Sequence, residues 1–213
     1  MSKYKCIIFD CDGVLVDSET LGNTILVKMA NKLGANIDLE YALKHFKGGT
    51  IKGVINHIEN LIEKPVPNDF VEVYRKESFE LFKKEIKPIT GVLDVLNNLE
   101  IPFCVASSGP EEKIKLNLKY AGLLDYFENN IFSCYTIQKW KPDPAIFIWA
   151  ANTMGFAPEE CIVIEDSITG IKAAKKGNFD VFGYTEHDYN NELEKEATMV
   201  FDKMEYLISL LKN

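Results

Sequence analysis

The sequence predicts an α/β fold, a doubly wound parallel sheet with an inserted all-helical domain. Five short apolar runs alternate with helical patterns along most of the 213 residues. Several of these runs are apolar without alternation, which is typical of parallel strands covered on both faces. The first run is separated from the other four by a long segment with helical patterns and no strand pattern. These three observations predict a parallel sheet interrupted after its first strand.

The five apolar runs are predicted to form the strands of the sheet. They occupy residues 6–9, 103–106, 131–133, 161–164 and 179–182. The helices between them have recognisable ends. One is predicted from Pro110 to a stop at Gly122, a second from Asp143-Pro144 to Met154, and a third from Ser167 to Lys176.

Residues 17–85 are predicted to form the helical insert. Its first helix has apolar residues at helical spacing and ends at Gly34, and another helix is predicted over 68–84. This assignment leaves residues 1–16 and 86–213 for the core domain. We interpret the insert as a cap domain.

Composition excludes several classes of function. The formal net charge is −8 and no dense block of Lys or Arg is present, so we expect no nucleic-acid partner. No apolar run is long enough to cross a bilayer, and the first residues do not resemble a signal peptide. The five cysteines form no C-x-x-C pair, which favours reduced, buried thiols. We therefore expect a cytoplasmic protein without a membrane partner, as a monomer or weak homodimer.

The run Asp10-Cys11-Asp12-Gly13 directly follows the first predicted strand. The carboxyl ends of parallel strands border the crevice in which such folds bind ligands. Two carboxylates buried there need a cation, and Mg²⁺ accepts carboxylate and carbonyl oxygens. A carboxylate that attacks phosphorus forms an aspartyl-phosphate, and a second acid can protonate the leaving oxygen. The alternative interpretation, a solvated Asp-x-Asp turn, stays open on this motif alone.

Polar residues occur at three other points of the strand-helix pattern. Ser107-Ser108-Gly109 places a hydroxyl and amides before a helix, where phosphate binds readily. Lys141 precedes a helix on a proline-containing loop, and Glu165 and Asp166 follow the fourth apolar run. Each has an ordinary alternative as a capping residue or surface charge. Together they supply the hydroxyl, cation and metal ligands that phosphoryl transfer requires.

These motifs resemble those of the haloacid dehalogenase superfamily of phosphatases, in the subgroup with a helical cap after the first strand. The matching residues are Asp-x-Asp-Gly-x-[Leu/Val]-x-Asp-Ser at 10–18, the Ser motif at 107, Lys-Pro-x-Pro at 141–144 and Glu-Asp-Ser at 165–167. The resemblance implies a Rossmann-like core and Mg²⁺-dependent hydrolysis of a small phosphorylated metabolite.

The resemblance also implies roles for individual residues. Asp10 would be the nucleophile and a magnesium ligand. Asp12 would be the general acid and base, and its backbone carbonyl would bind the metal. Ser107, the amide of Ser108 and Gly109 would bind the transferred phosphoryl group.

Charged residues complete the implied site. Lys141 would neutralise charge and orient the nucleophile. Asp166 would bind magnesium, and Glu165 would either bind it or support the site through water. In the cap, Lys47 and Arg75 are candidates to bind the anionic end of a substrate such as a sugar-acid carboxylate.

The members of the superfamily differ in chemistry, and the sequence separates some of them. Asp12 argues against a dehalogenase, because a halide leaving group needs no proton. β-Phosphoglucomutases share the cap type, but they carry a histidine and an arginine where this chain has Gly22 and Ile51. The stretches at 46–48, 73–75, 108–110 and 137–145 most resemble bacterial sugar phosphatases of the 6-phosphogluconate phosphatase type, with phosphoglycolate phosphatases close behind. A phosphomutase and a non-catalytic phosphoacceptor stay open as alternatives.

Overall fold

The computed structural model describes residues 3–46, 50–186, 188 and 191–212. The chain divides into two compact units. Met1–Asp17 and Lys87–Asn213 form the first unit, which contains the sheet, and Ser18–Ile86 form the second, which is helical.

The first unit is built on a six-stranded parallel sheet with the order β3-β2-β1-β4-β5-β6. Strand β1 lies between β2 and β4, so the chain moves outward on one side and then on the other. The predicted doubly wound parallel sheet is therefore confirmed. The strands are β1 Cys6–Phe9, β2 Phe103–Ser107, β3 Ile131–Ser133, β4 Cys161–Glu165, β5 Asp180–Tyr184 and β6 Met199–Phe201.

Eleven α-helices are present among the described residues. The second unit holds α1 Glu19–Lys32, α2 Leu39–Phe46, α3 Ile51–Ile62 and α4 Phe70–Glu85. The first unit holds α5 Val92–Asn98, α6 Glu111–Tyr120, α7 Leu124–Phe127, α8 Cys134–Ile137, α9 Ala145–Met154, α10 Ile168–Lys176 and α11 Leu207–Leu210. None of the described helices has the length and apolar character that a membrane span requires.

Strand β1 shows why the strands read as continuous apolar runs. All four of its residues are buried. Cys6 and Ile8 belong to the apolar cluster that includes α9 and α10. On the other face, the Phe9 ring makes edge contacts with Phe103 and Phe127, at centroid distances of 6.2 and 6.4 Å. Helices therefore cover both faces of the sheet, and no residue of the strand meets water.

The sequence prediction misses one strand and shortens another. Strand β6 has only three residues and lies at the edge of the sheet, with Met199 exposed, so its apolar pattern is weak. Strand β5 continues through Gly183, which lies beyond the predicted run at 179–182. A Cβ atom at Gly183 would lie 3.2 Å from Val200 on β6. The glycine therefore permits close strand packing and does not end the strand.

The helical unit has its own apolar core, formed by residues of all four helices. Gly22 on α1 faces α4. A Cβ atom there would lie 3.0 Å from the Tyr74 hydroxyl oxygen and 3.9 Å from the Phe82 ring. A larger residue at this position would displace neighbouring side chains, so the glycine allows α1 and α4 to pack closely.

We predict that Phe127→Ala lowers the free energy of unfolding of the first unit by about 3–5 kcal/mol, because it removes a fully buried ring from the sheet face. Denaturant unfolding followed by circular dichroism measures the change. Tyr120→Ala is the control, because Tyr120 is 45% exposed, and it should alter stability by no more than about 0.5 kcal/mol. Equal effects of the two substitutions would contradict the proposed packing.

Candidate active site

The predicted site residues of the core domain meet at one edge of the sheet. Asp10 follows β1, Ser107 ends β2, and Glu165 ends β4. Phe9 is level with Val105 on one side and with Ile164 on the other. Because these three strands are adjacent and parallel, their carboxyl ends present the side chains to a common region.

Lys141 connects the three central strands. Its ammonium group donates hydrogen bonds to Asp10 Oδ1 at 2.5 Å, to Glu165 Oε1 at 2.6 Å and to the Ala106 carbonyl oxygen at 3.2 Å. A lysine ammonium has three donors, and each has a partner here. The Lys141 side chain is only 4% exposed. This lysine is therefore a buried element of the site and not a surface charge.

Burial and charge shift the pKa values of this pair. Burial raises the pKa of Asp10 well above its ordinary value, Lys141 opposes that shift, and the charges of Glu165 and Asp166 reinforce it. Burial alone would lower the pKa of Lys141, but the neighbouring Asp10 and Glu165 carboxylates raise it above its ordinary value. Lys141 is therefore held as a cation, amid more negative charge than it can neutralise.

The loop after β1 passes close to Asp166. Gly13 has a φ of +82°, which favours glycine. A Cβ atom at Gly13 would overlap the Asp166 carboxylate. Both observations require glycine at this position. The absence of a side chain lets the loop backbone lie directly against the Asp166 carboxylate.

These residues fit a magnesium site. Asp10 and Asp166 are 7% and 5% exposed, so two carboxylates are buried beside the loop backbone. Among the described residues, no group of three or more His, Cys, Asp or Glu side chains is arranged to hold a metal. Mg²⁺ does not need such a group, because it is commonly held by one or two carboxylates with waters and phosphate oxygens. The donor set therefore suits Mg²⁺ better than a metal that needs a full side-chain cage.

Glu165 has other partners. Its Oε1 accepts from Lys141, and its Oε2 accepts from the Ser167 amide at 2.9 Å and the Ser167 hydroxyl at 2.8 Å. A Cβ atom at Gly170 would overlap the Glu165 carboxylate, so helix α10 packs directly against it. Direct metal binding by Glu165 stays a prediction, and its contacts favour the supporting role.

Ser107, the last residue of β2, borders the loop that leads to α6. Its Oγ accepts the Gly109 amide at 3.1 Å, and the Ser133 hydroxyl donates to the Gly109 carbonyl oxygen at 2.7 Å. Ser107 is buried, whereas Ser108, in the loop between β2 and α6, is exposed. These hydrogen bonds fix the conformation of the loop, and its binding of a phosphoryl group stays a prediction.

Asp12 has two partners that the sequence analysis missed. Lys113 Nζ donates to Asp12 Oδ2 at 2.7 Å, and Asn117 Nδ2 donates to Asp12 Oδ1 at 3.1 Å. Both residues lie on α6. In the sequence, a lysine on an amphipathic helix indicates a solvent-exposed position. The only signal was the four-residue spacing of Lys113 and Asn117, which places them on one helix face.

The two cap candidates, Lys47 and Arg75, belong to the range of the helical unit. Arg75 is exposed on α4 of the helical unit. Lys47 lies outside the described residues. Their proposed contacts with substrate stay predictions.

Comparison with known proteins identifies the family. The haloacid dehalogenase-like hydrolase family matches residues 7–184 of the chain. The Escherichia coli (strain K12) protein named 6-phosphogluconate phosphatase is 33% identical over 215 residues, which cover 100% of this chain and 96% of that protein.

Solved structures agree with this assignment. A conserved haloacid dehalogenase-like protein of unknown function from Agrobacterium tumefaciens matches with a TM-score of 0.92 and 29% identity, over 98% of each chain. A HAD family hydrolase from Deinococcus radiodurans R1, solved with bound phosphate and sodium, matches with a TM-score of 0.85 and 25% identity, over 99% of this chain and 96% of that one. The resemblance inferred from the motifs is confirmed: the chain belongs to the haloacid dehalogenase-like hydrolase family.

Proposed function

We propose that this hydrolase is a Mg²⁺-dependent phosphatase that acts on a small phosphorylated metabolite, a sugar phosphate or sugar-acid phosphate, through an aspartyl-phosphate at Asp10. The observation that carries the proposal is the Asp10 carboxylate, held by Lys141 at 2.5 Å at the strand edge that also presents Ser107 and Asp166. The similarity to a relative named 6-phosphogluconate phosphatase supports the substrate class.

In the first step, an Asp10 carboxylate oxygen attacks phosphorus and the bond from phosphorus to the substrate oxygen breaks. Asp12 gives its proton to that leaving oxygen. The Ser107 hydroxyl and the Ser108 amide bind the phosphoryl oxygens during transfer. Lys141 fixes the orientation of Asp10 and offsets negative charge.

In the second step, water attacks phosphorus and Asp12 takes a proton from it. The bond from phosphorus to the Asp10 oxygen breaks, so inorganic phosphate leaves and the Asp10 carboxylate is restored. Asp12 thereby returns to its starting protonation state, and the cycle consumes one water for each monoester.

The proposed magnesium site consists of the Asp10 and Asp166 carboxylates with the Asp12 backbone carbonyl. Magnesium bound there would neutralise charge on the phosphoryl group as it is transferred. The range of the helical unit includes Lys47 and Arg75. We propose this unit as the cap that selects the substrate.

Gly22 supports hydrolysis over phosphomutase chemistry. The mutases that the sequence resembles have a histidine at this position. Here α1 and α4 pack so closely that any side chain at Gly22 would meet the Tyr74 hydroxyl. The helical unit therefore accommodates no histidine at this position without rearrangement.

We predict that Asp10→Asn lowers the rate of phosphate release by at least about a thousandfold, because an amide is a poor nucleophile. Excess EDTA should abolish wild-type turnover, and added Mg²⁺ should restore it. Phosphate release from glucose 6-phosphate and 6-phosphogluconate provides the measurement.

Asp180→Asn is the matched control, because it removes a carboxylate that pairs with Lys3 at the start of β5. It should leave turnover unchanged. Full activity in EDTA would contradict the metal requirement. Isomerised product in the ³¹P NMR spectrum would favour the mutase, and an aspartyl-phosphate that persists for minutes would favour the phosphoacceptor.

We further predict that Gly170→Ala slows turnover by about tenfold or more, because a Cβ atom there displaces Glu165 and misplaces Lys141. Steady-state kinetics of the purified variant measures the loss.

Gly53→Ala is the control. Gly53 occupies the same position after its N-cap, and both glycine amides donate to the N-cap hydroxyl at 3.1 Å. A Cβ atom at Gly53 meets only Thr50, at 3.4 Å. This variant should keep full activity. Wild-type turnover by Gly170→Ala would show that Glu165 does not determine the placement of Lys141.

A further inference from the structure

We propose that Lys113 and Asn117 are positioning residues that set the orientation of Asp12 for proton transfer to the leaving group. The inference rests on the proposed phosphatase function, which assigns the proton transfer to Asp12. Neither residue belongs to the motifs that identify the site, and both act from helix α6.

The two donors hold both oxygens of one carboxylate. Lys113 Nζ lies 2.7 Å from Asp12 Oδ2, and Asn117 Nδ2 lies 3.1 Å from Asp12 Oδ1. A carboxylate that is bonded at only one oxygen can still rotate about its last bond. Bonds to both oxygens from one rigid helix restrict both side-chain torsions of Asp12.

Helix α6 is well anchored for this role. Ile114 and Leu118, each adjacent in sequence to one of the donors, are 1% and 0% exposed. Asn117 is itself fully buried. A buried amide on a packed helix is a fixed donor. Replacing Asn117 therefore removes or redirects the hydrogen bond to Asp12.

The space beside Gly109 shows that this arrangement borders the phosphate cradle. A Cβ atom built at Gly109 would lie 3.5 Å from Ser107 Oγ, 3.6 Å from Lys113 Cδ and 3.9 Å from Asp12 Oδ2. The predicted phosphoryl-binding hydroxyl and the acid therefore face the same small volume, with the Lys113 side chain along its wall. This neighbourhood places the Asp12 carboxylate beside the proposed phosphoryl site, as proton transfer to a leaving oxygen requires.

A second ion pair on the same helix differs from the Lys113–Asp12 pair in its exposure. Lys115 pairs with Glu111 at 2.5 Å, and the two side chains are 50% and 47% exposed. Exposed pairs of this kind contribute little to stability. The Lys113–Asp12 pair is 26% and 23% exposed and joins two distant parts of the chain. Lys115→Met is therefore a matched control for Lys113→Met.

A comparison of two substrates with different leaving groups distinguishes a positioning role from a general loss of structure. An alkyl phosphate such as glucose 6-phosphate needs a proton on its leaving oxygen, whereas p-nitrophenyl phosphate leaves readily without one. We expect Lys113→Met to lower kcat/KM about tenfold to a hundredfold with the alkyl phosphate, and less than about threefold with p-nitrophenyl phosphate. Asn117→Leu should show the same selectivity, Lys113→Arg should recover most of the loss, and Lys115→Met should show none.

A double-mutant cycle provides the second readout. In an Asp12→Asn background, Lys113→Met should cause no further loss with the alkyl phosphate, because a residue that acts through Asp12 has nothing left to orient. Equal losses with both substrates, a loss confined to KM, or additive losses in the cycle would each overturn the inference. A wild-type protein that releases phosphate from neither substrate would instead refute the proposed function.

Discussion

The site depends on one buried ammonium group. The Lys141 ammonium group donates three hydrogen bonds, and their acceptors come from three adjacent strands. They are Asp10 after β1, Ala106 in β2 and Glu165 at the end of β4. A buried charge is costly unless it is paired and fully hydrogen-bonded, and removing one partner leaves the other uncompensated. The position of Asp10 is therefore fixed by contacts that also hold the centre of the sheet edge together.

The two acids of the Asp-x-Asp motif have different surroundings. Asp10 is held from within the sheet by Lys141, and it lies among the other buried carboxylates. Asp12 faces outward to α6 and is held by Lys113 and Asn117. Although only Cys11 separates the two acids, the loop after β1 presents one carboxylate to each environment. This division matches the proposed division between nucleophile and acid.

The negative charge of the chain gives no hint of a phosphate site, because its net charge of −8 repels anions at long range. The structure resolves this locally. The proposed phosphoryl-binding residue Ser107 lies at the end of β2, and the buried Lys141 supplies one fixed positive charge beside it. The remaining buried acids suit a cation, so attraction for a phosphoryl group depends on short-range contacts and not on overall charge.

The sequence by itself determined the sheet class and which residues gather at its edge. Apolar runs covered on both faces mark parallel strands, and residues placed directly after such strands must meet at one edge. Only the tertiary structure decided the rest. The predicted fifth run stops before Gly183, whose close packing against Val200 is visible only in the structure. Likewise, Lys113 has the pattern of a solvent-exposed helix residue, and only the structure shows it paired with Asp12. The spacing of apolar residues indicates which faces of a segment are buried, but it does not indicate which other segment packs against them.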